Sequence, residues 1–311
     1  MTDLLRDYSS DGFPTDYLIA RIRGRRASLI RDWRSLLARD GLPGESEETI
    51  WGSLLLELNW VHLQMNPRLR RIFTPLILLF ELKTIVLCLR KRAFDKTAGV
   101  DGLLEGSLLA DAVKQALAQA VDLQSIIAAL GETMGIASDD SKGLSSAYDE
   151  AGLRGFEDAL VRIFLEQVAD RKLHPVIREF IESFIDLRNI VILYKHLRWE
   201  LESKAPFIRK GAIDTSDFRK ILESHDQRGF DDLVRGVTGA PAVSNAAGEA
   251  ALESVLLRGM TTKLRRIGRE SEDVGLILDY VWRVYIQARN LAVIYHGEEV
   301  GPDALEKELI L

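Results

Sequence analysis

The stretch Ile185-Asp-Leu-Arg-Asn-Ile-Val-Ile-Leu-Tyr-Lys195 decides the fold, because two other segments of the chain share its pattern. One is Phe80-Glu-Leu-Lys-Thr-Ile-Val-Leu-Cys-Leu-Arg90, and the other is Ile286-Gln-Ala-Arg-Asn-Leu-Ala-Val-Ile-Tyr-His296. In chain order, the second segment starts 105 positions after the first, and the third starts 101 positions after the second. Tetratricopeptide, ankyrin and HEAT units recur at roughly 33 to 47 residues. The longer period predicts three small multi-helix domains.

A second pair of segments keeps the same register. Gly106-Ser-Leu108 matches Gly211-Ala-Ile213, again at an offset of 105 positions. Two independent matches with one offset are hard to obtain by chance. We therefore expect three helical domains, with boundaries at residues 1–100, 101–205 and 206–311.

Helical periodicity dominates the sequence. From Asp16 to Ala38, apolar residues recur at a spacing close to 3.6, and similar patterns continue to the end of the chain. Alternation of Val and Ile at the strand period is absent. The fold class is therefore predicted to be all-α, built from three similar helical bundles.

The repeated helix places a polar pair within an apolar stripe. The two members of each pair are three positions apart and share a helix face. Buried polar groups are costly unless they are hydrogen-bonded, so we expect each pair to meet backbone or side-chain partners on a packed neighbour. Acid–base catalysis would need two converging acids, and the third repeat supplies a glutamine instead. The structural pairs are Glu81 with Thr84, Asp186 with Asn189, and Gln287 with Asn290.

Basic residues mark two further surfaces. On another face of the repeated helix, basic residues stand seven positions apart, and they either are solvated or meet acids on another helix or on a partner. The densest basic cluster, Arg21-Ile-Arg-Gly-Arg-Arg26, has no interleaved aromatic residues for base stacking. Its candidate partner-contacting residues, for an acidic protein partner, are Arg21, Arg23, Arg25 and Arg26.

Bulk composition bounds the partners. The chain carries 41 Lys and Arg against 47 Asp and Glu, a formal net charge of −6, whereas nucleic-acid-binding domains are usually basic. We expect no nucleic-acid partner. Cys88 is the single cysteine, which excludes an internal disulfide and fits a reducing compartment. The most apolar stretch, Ile72 to Leu89, is interrupted by charged residues, so we expect a cytoplasmic chain without its own membrane span.

Motifs for catalysis are missing from the sequence. It contains no GxxxxGK(S/T), GxGxxG, HExxH, GxSxG or CxxC. The pairs Asp139-Asp140 and Asp231-Asp232 resemble the acid pairs of helical Mg²⁺-diphosphate enzymes, but no further Asp follows either at the needed spacing. We predict a non-enzyme with no cofactor and no metal. An isoprenoid-type diphosphate enzyme and a generic helical scaffold are the alternatives.

Three short motifs carry a family resemblance. Asp16-Tyr-Leu-Ile-Ala-Arg-Ile-Arg-Gly24, Asp186-Leu-Arg-Asn-Ile190, and Arg289-Asn-Leu291 followed by Gly301-Pro-Asp-Ala-Leu305 run from the start of the chain to its end. Together they resemble the C subunit of archaeal and bacterial V/A-type ATPases, which is related to the d subunit of the eukaryotic V-ATPase. The resemblance covers the whole chain.

The resemblance implies a fold and a role. Members of this family form three helical bundles arranged as a funnel with pseudo-threefold symmetry. They sit between the membrane proteolipid ring and the D and F subunits of the central stalk, rotate with the rotor and transmit torque for proton or sodium transport. They bind no nucleotide. We therefore expect a non-catalytic rotor element, peripheral on the cytoplasmic face of the membrane.

Overall fold

The computed structural model describes residues 4–6, 11–37, 46–94, 100–119, 138–201, 205–239, 248–271, 273–297 and 301–311. Within these ranges the chain is helical, and its β-structure is one isolated antiparallel bridge between Leu5 and Leu109. The predicted all-α class is confirmed. The helices are α1 (Thr15–Arg25), α2 (Trp33–Leu37), α3 (Glu47–Gln64), α4 (Pro67–Phe94), α5 (Asp101–Glu105), α6 (Asp111–Gln119), α7 (Ser138–Ala169), α8 (Pro175–Trp199), α9 (Thr215–Ser224), α10 (Gln227–Thr238), α11 (Gly248–Glu270), α12 (Val274–His296) and α13 (Pro302–Glu308).

Local sequence signals set several of these helix ends. Pro175 opens α8, where its missing N–H and fixed φ cost nothing. The side chains of Asp214 and Asp226 cap α9 and α10 by accepting backbone N–H bonds from Ser216 and Gly229. Gly239 ends α10 at φ +68°, the left-handed conformation that glycine adopts without strain.

The chain forms two compact units. The first comprises Met1–Leu18 and Glu48–Val168, and the second comprises Ile19–Glu47 and Ala169–Leu311. This division does not test the predicted domains 1–100, 101–205 and 206–311, which stay a prediction.

Helix α4 provides much of the core of the first unit. Phe73, Leu76 and Leu89 on this helix are fully buried. Its stretch Pro67–Arg92 is long and apolar enough to cross a membrane by length and composition alone, but 78% of its most apolar window is buried in the protein. A core helix has the same burial and composition. The charged residues within the stretch also favour a core helix.

Helices α8 and α12 provide the core of the second unit. Phe180 on α8 meets Trp282 on α12 edge to face at 5.8 Å between ring centroids, an arrangement that aromatic pairs favour. The indole N–H of Trp282 donates to the hydroxyl of Thr261 at 2.9 Å, so this buried polar atom is satisfied. A separate cluster joins Trp33 of α2 to Ile294 of α12.

Candidate functional site

The first repeated helix is hydrogen-bonded to the backbone segment that follows it. The carboxylate of Glu81 on α4 is fully buried and accepts the N–H of Leu108 at 2.5 Å. Its second oxygen accepts the hydroxyl of Ser107 at 2.8 Å. Both partners belong to the segment Gly106-Ser-Leu108, which the sequence singled out as part of the repeat.

The second repeated helix makes the equivalent contact. The carboxylate of Asp186 on α8 accepts the N–H of Ile213 at 3.1 Å. Leu108 and Ile213 each lie 27 positions after their acid, so the contact has the same sequence separation in both repeats. Gly211 is required here, because a Cβ at this position would lie 2.1 Å from the Oδ1 atom of Asp186.

The third repeated helix takes its partner from the start of the chain. The side-chain oxygen of Gln287 on α12 accepts the N–H of Ile30 at 2.8 Å, across 257 positions of sequence. Ile30 ends the segment Ser28-Leu-Ile30, which, like Gly106-Ser-Leu108, is followed by an acid and a helix. This partner was not predicted from the sequence; the acid and the helix that follow the segment are the signal that could have found it.

The second member of each pair acts on a different segment. The amide of Asn189 donates to the carbonyl of Ile208 at 2.8 Å and accepts the Ile208 N–H at 2.7 Å. Asn290 makes the same two bonds with Ile310, at 2.8 and 3.0 Å. Both asparagines are fully buried. An amide side chain thus pairs with one backbone residue much as a neighbouring strand would, and we call this arrangement the amide clamp.

The first repeat lacks the amide clamp. Thr84 occupies the position of the two asparagines, is buried, and hydrogen-bonds the Glu81 side chain of its own helix. A hydroxyl has one donor hydrogen and cannot reproduce the two-point pairing of an amide. In this repeat the contact to the following segment therefore depends on Glu81.

Burial shifts the pKa of both repeat acids upward. Desolvation raises the pKa of Asp186 to about 6, opposed by backbone N–H bonds from Ile213 and Ala212. Desolvation also raises the pKa of Glu81, opposed first by the Leu108 N–H and then by the Ser107 hydroxyl. Each acid faces backbone rather than another acid. The arrangement positions chain segments and offers no paired acid and base.

The predicted basic edge forms ion pairs between helices. Nine residues after Glu81, Asp186 and Gln287, each repeated helix carries a basic residue. Each of these basic residues contacts a glutamate on another helix, which is α7, α11 or α3. Exposed ion pairs of this kind contribute about 0–1 kcal/mol each, so they indicate which helices are neighbours more than they add stability. The pairs are Arg90 with Glu157 at 2.6 Å, Lys195 with Glu249 at 2.6 Å, and His296 with Glu47 at 3.5 Å, the last being ionic only when the imidazole is protonated.

The arginines of the basic cluster differ in their exposure to solvent. Arg21 and Arg23 are exposed, and Arg25 is half-buried. Arg26, just after the helix, forms an ion pair at 2.9 Å with the buried carboxylate of Asp279. Arg26 is thus engaged within the second unit, while the role of the cluster as a partner contact stays a prediction.

The acid pairs that suggested a diphosphate enzyme do not assemble in the described residues. Asp231 accepts from Gln227, and Asp232 pairs with Arg235 on the same helix. The side chains of Asp139 and Asp140 lie outside the described residues. Among the side chains that the structure describes, no group of three or more His, Cys, Asp and Glu is arranged to hold a metal ion.

Known proteins match this chain along nearly its whole length. The family model described as ATP synthase (C/AC39) subunit matches residues 31–308. The C subunit of the A-type ATP synthase of Haloferax volcanii is 26% identical along an alignment of 354 positions, which covers 97% of this chain and 99% of that protein.

Proposed function

This chain belongs to the ATP synthase (C/AC39) subunit family, and from that premise we propose that it couples the rotor of a V/A-type ATPase or synthase. The family resemblance predicted from the sequence is confirmed. Membership makes the chain a non-catalytic subunit of a rotary ATPase, not an enzyme on its own, and part of a peripheral membrane-associated complex.

The proposed role links two partners. The chain joins the central stalk, made of D- and F-type subunits, to the proteolipid ring on the cytoplasmic face of the membrane. It rotates with both and passes torque between them, for proton or sodium transport. The role requires a stiff body and two docking surfaces, but no reactive side chain.

The repetition of one contact in all three repeats is the observation that carries the proposal. Glu81 and Asp186 bind the segment that follows them, whereas Gln287, in the third repeat, binds Ile30 near the start of the chain. Three helices that each hold a backbone segment through a side-chain acceptor support a stiff body, which torque transmission requires.

The amide clamps support the stiffness that torque transmission needs. Asn189 and Asn290 each make two buried hydrogen bonds to a single backbone residue. Opening either clamp leaves buried donors and acceptors unpaired, at about 1–3 kcal/mol for each group. The clamped segments are therefore expected to move with their helices under load.

Binding to the two partners tests the proposal. The full chain should be retained both by immobilised central-stalk subunits and by the detergent-solubilised proteolipid ring. Retention by neither partner would contradict a coupling role. A generic helical scaffold would show no preference for these partners over unrelated acidic proteins of similar size.

A charge reversal tests the predicted contact surface. Arg23→Glu, on the exposed face of α1, should weaken binding to one of the two partners by about tenfold, because charged rim residues steer association. Arg219→Glu is the matched control, since Arg219 is exposed on α9 and lies outside the basic cluster. Equal losses in the two variants would remove the α1 cluster from the interface and leave the coupling role to the retention experiment.

A further inference from the structure

The second unit contains an open pocket of about 610 Å³ lined by arginines. It lies where the segment after α1 meets α11 and α12. Its floor is apolar and includes Ile30, Trp33 and Ile286. The arginines that line it are Arg26, Arg31, Arg34, Arg265 and Arg283.

Three carboxylates of the described residues face this positive charge, and each already has partners. Asp279 is buried behind the pocket and accepts from both Arg26 and Arg283. Glu306 pairs with Arg34 at 2.6 Å. Asp32 accepts the backbone N–H and the hydroxyl of Ser35. Five guanidinium groups line the pocket, whereas Asp32 and Glu306 are the acidic side chains among its lining residues, so positive side chains predominate there.

Arg265 carries the clearest sign of an unmet bonding requirement. Its Nε atom is buried and has no hydrogen-bond partner among the described residues. Burial lowers the pKa of Arg265, and repulsion from Arg283 lowers it further, while Asp279 opposes both effects. A buried charged donor without an acceptor is costly, so Arg265 gains from a rearrangement that brings an acceptor within reach of this atom.

We propose that this pocket binds a phosphoryl group. A phosphate monoester carries a charge of about −1.5 to −2 near neutral pH, more than the single charge of a carboxylate, and is therefore the better match for an arginine-lined pocket. Guanidinium groups bind phosphate oxygens in bidentate geometry, and the oxyanion can accept from several arginines together. The pocket is much larger than one phosphate ion, and its apolar floor suits the organic part of a phosphorylated small molecule.

The proposal of this binding site does not rest on the coupling role, although Arg26 belongs both to the pocket and to the basic cluster. It depends on the arginines and acids of the pocket alone, and it requires neither the central stalk nor the ring. The chain can therefore fail to bind phosphate and still bind its partners, or the reverse.

Isothermal titration calorimetry of the full chain tests the site. Inorganic phosphate, pyrophosphate and phosphoserine are titrated separately at fixed ionic strength, with chloride as the reference anion. At least one phosphate compound should bind with saturable heat. Inorganic phosphate and a phosphorylated molecule offer the arginines the same chemistry. The compound that binds with the highest affinity therefore identifies the source of the phosphoryl group.

Matched variants locate the binding. Arg265→Gln should weaken the affinity at least about tenfold, because it removes a charged donor from the pocket. Arg266→Gln, one residue along α11, is exposed and does not line the pocket, so its affinity should equal that of the wild type. Circular dichroism and thermal melting establish that both variants fold.

Two results would overturn the proposal. One is the absence of saturable heat for all three phosphate compounds up to about ten millimolar, a concentration that reveals even weak sites. The other is an equal loss of affinity in Arg265→Gln and Arg266→Gln, which would mean general charge attraction and not a defined site.

Discussion

Helices α8 and α4 carry the same repeat at the same register, yet they hold their neighbouring segments by different chemistry. On α8, Asn189 binds both backbone groups of Ile208, and Asp186 binds the next segment at Ile213. On α4, Thr84 bonds within its own helix, and Glu81 alone reaches the following segment.

The difference shows which feature of the repeat is essential. Both helices place a side-chain acceptor 27 positions before a backbone N–H, at Leu108 or Ile213, although the acceptor is Glu in one and Asp in the other. The longer glutamate reaches a hydroxyl as well as an N–H, which compensates in part for the missing amide. The position of the acceptor is the same in the two repeats, whereas the identity of the side chain differs.

The largest expected effect is at the amide clamp. Asn189→Leu removes both bonds and leaves the buried N–H and carbonyl of Ile208 unpaired, so the free energy of unfolding should fall by about 2–4 kcal/mol. Thr84→Val is the matched substitution on α4 and should cost less than about 1.5 kcal/mol, because it removes a single hydroxyl bond. Urea denaturation followed by circular dichroism measures both changes. Equal costs would contradict the distinction between the two helices.

A somewhat smaller effect is expected at the glycine of the second repeat. Gly211→Ala places a methyl group against the carboxylate of Asp186 and should cost about 1–3 kcal/mol through overpacking. Gly236→Ala on α10 is the control, since a Cβ there meets nothing within 4 Å and alanine favours a helix. Thermal melting of the two variants should shift in opposite directions. A Gly211→Ala protein as stable as the wild type would show that the segment can move away from Asp186.

The smallest expected effect concerns pH. The folded-state pKa of Asp186, raised to about 6 by burial, lies above its value in the unfolded chain, so the folded state holds the proton longer. This group contributes stability fully at pH below about 4 and loses that contribution as the pH rises to about 6. The side chain of the Asp186→Asn variant cannot ionise and keeps one acceptor oxygen. As the pH rises, the free energy of unfolding of this variant should therefore fall by about 1–2 kcal/mol less than that of the wild type.

Urea titrations of the wild type and Asp186→Asn at about pH 4, 5, 6 and 7 measure that difference, since they span the window between the two pKa values. The other titrating groups are common to both proteins, and the difference between the two curves isolates Asp186. Parallel curves across this range would contradict a buried, perturbed carboxyl group at the repeat.

The sequence predicted the helices and the register, but not every partner. Apolar periodicity and the offset of 105 positions between Glu81 and Asp186 are properties of the chain itself, and they anticipated where equivalent contacts occur. The partner of Gln287 was not predicted, because Ile30 lies 257 positions away and its segment lacks the glycine of the other linkers.

The environment of Arg26 was also beyond prediction. A dense basic cluster on an amphipathic helix is typical of a surface feature, and sequence spacing gave no indication that Asp279 lies within reach. A buried acid on a distant helix becomes a partner only through tertiary packing, which is also what gathers the five arginines of the pocket. Local patterns therefore reveal repeated contacts more readily than unique ones.

The most direct measurement is ATP-driven ion uptake by membrane vesicles that contain the rotary complex with and without this chain. We predict that removing the chain abolishes ion uptake while ATP hydrolysis by the catalytic part persists, and that adding the full chain back restores uptake. Ion uptake that continues undiminished without the chain would contradict its role as the coupling element of the rotor.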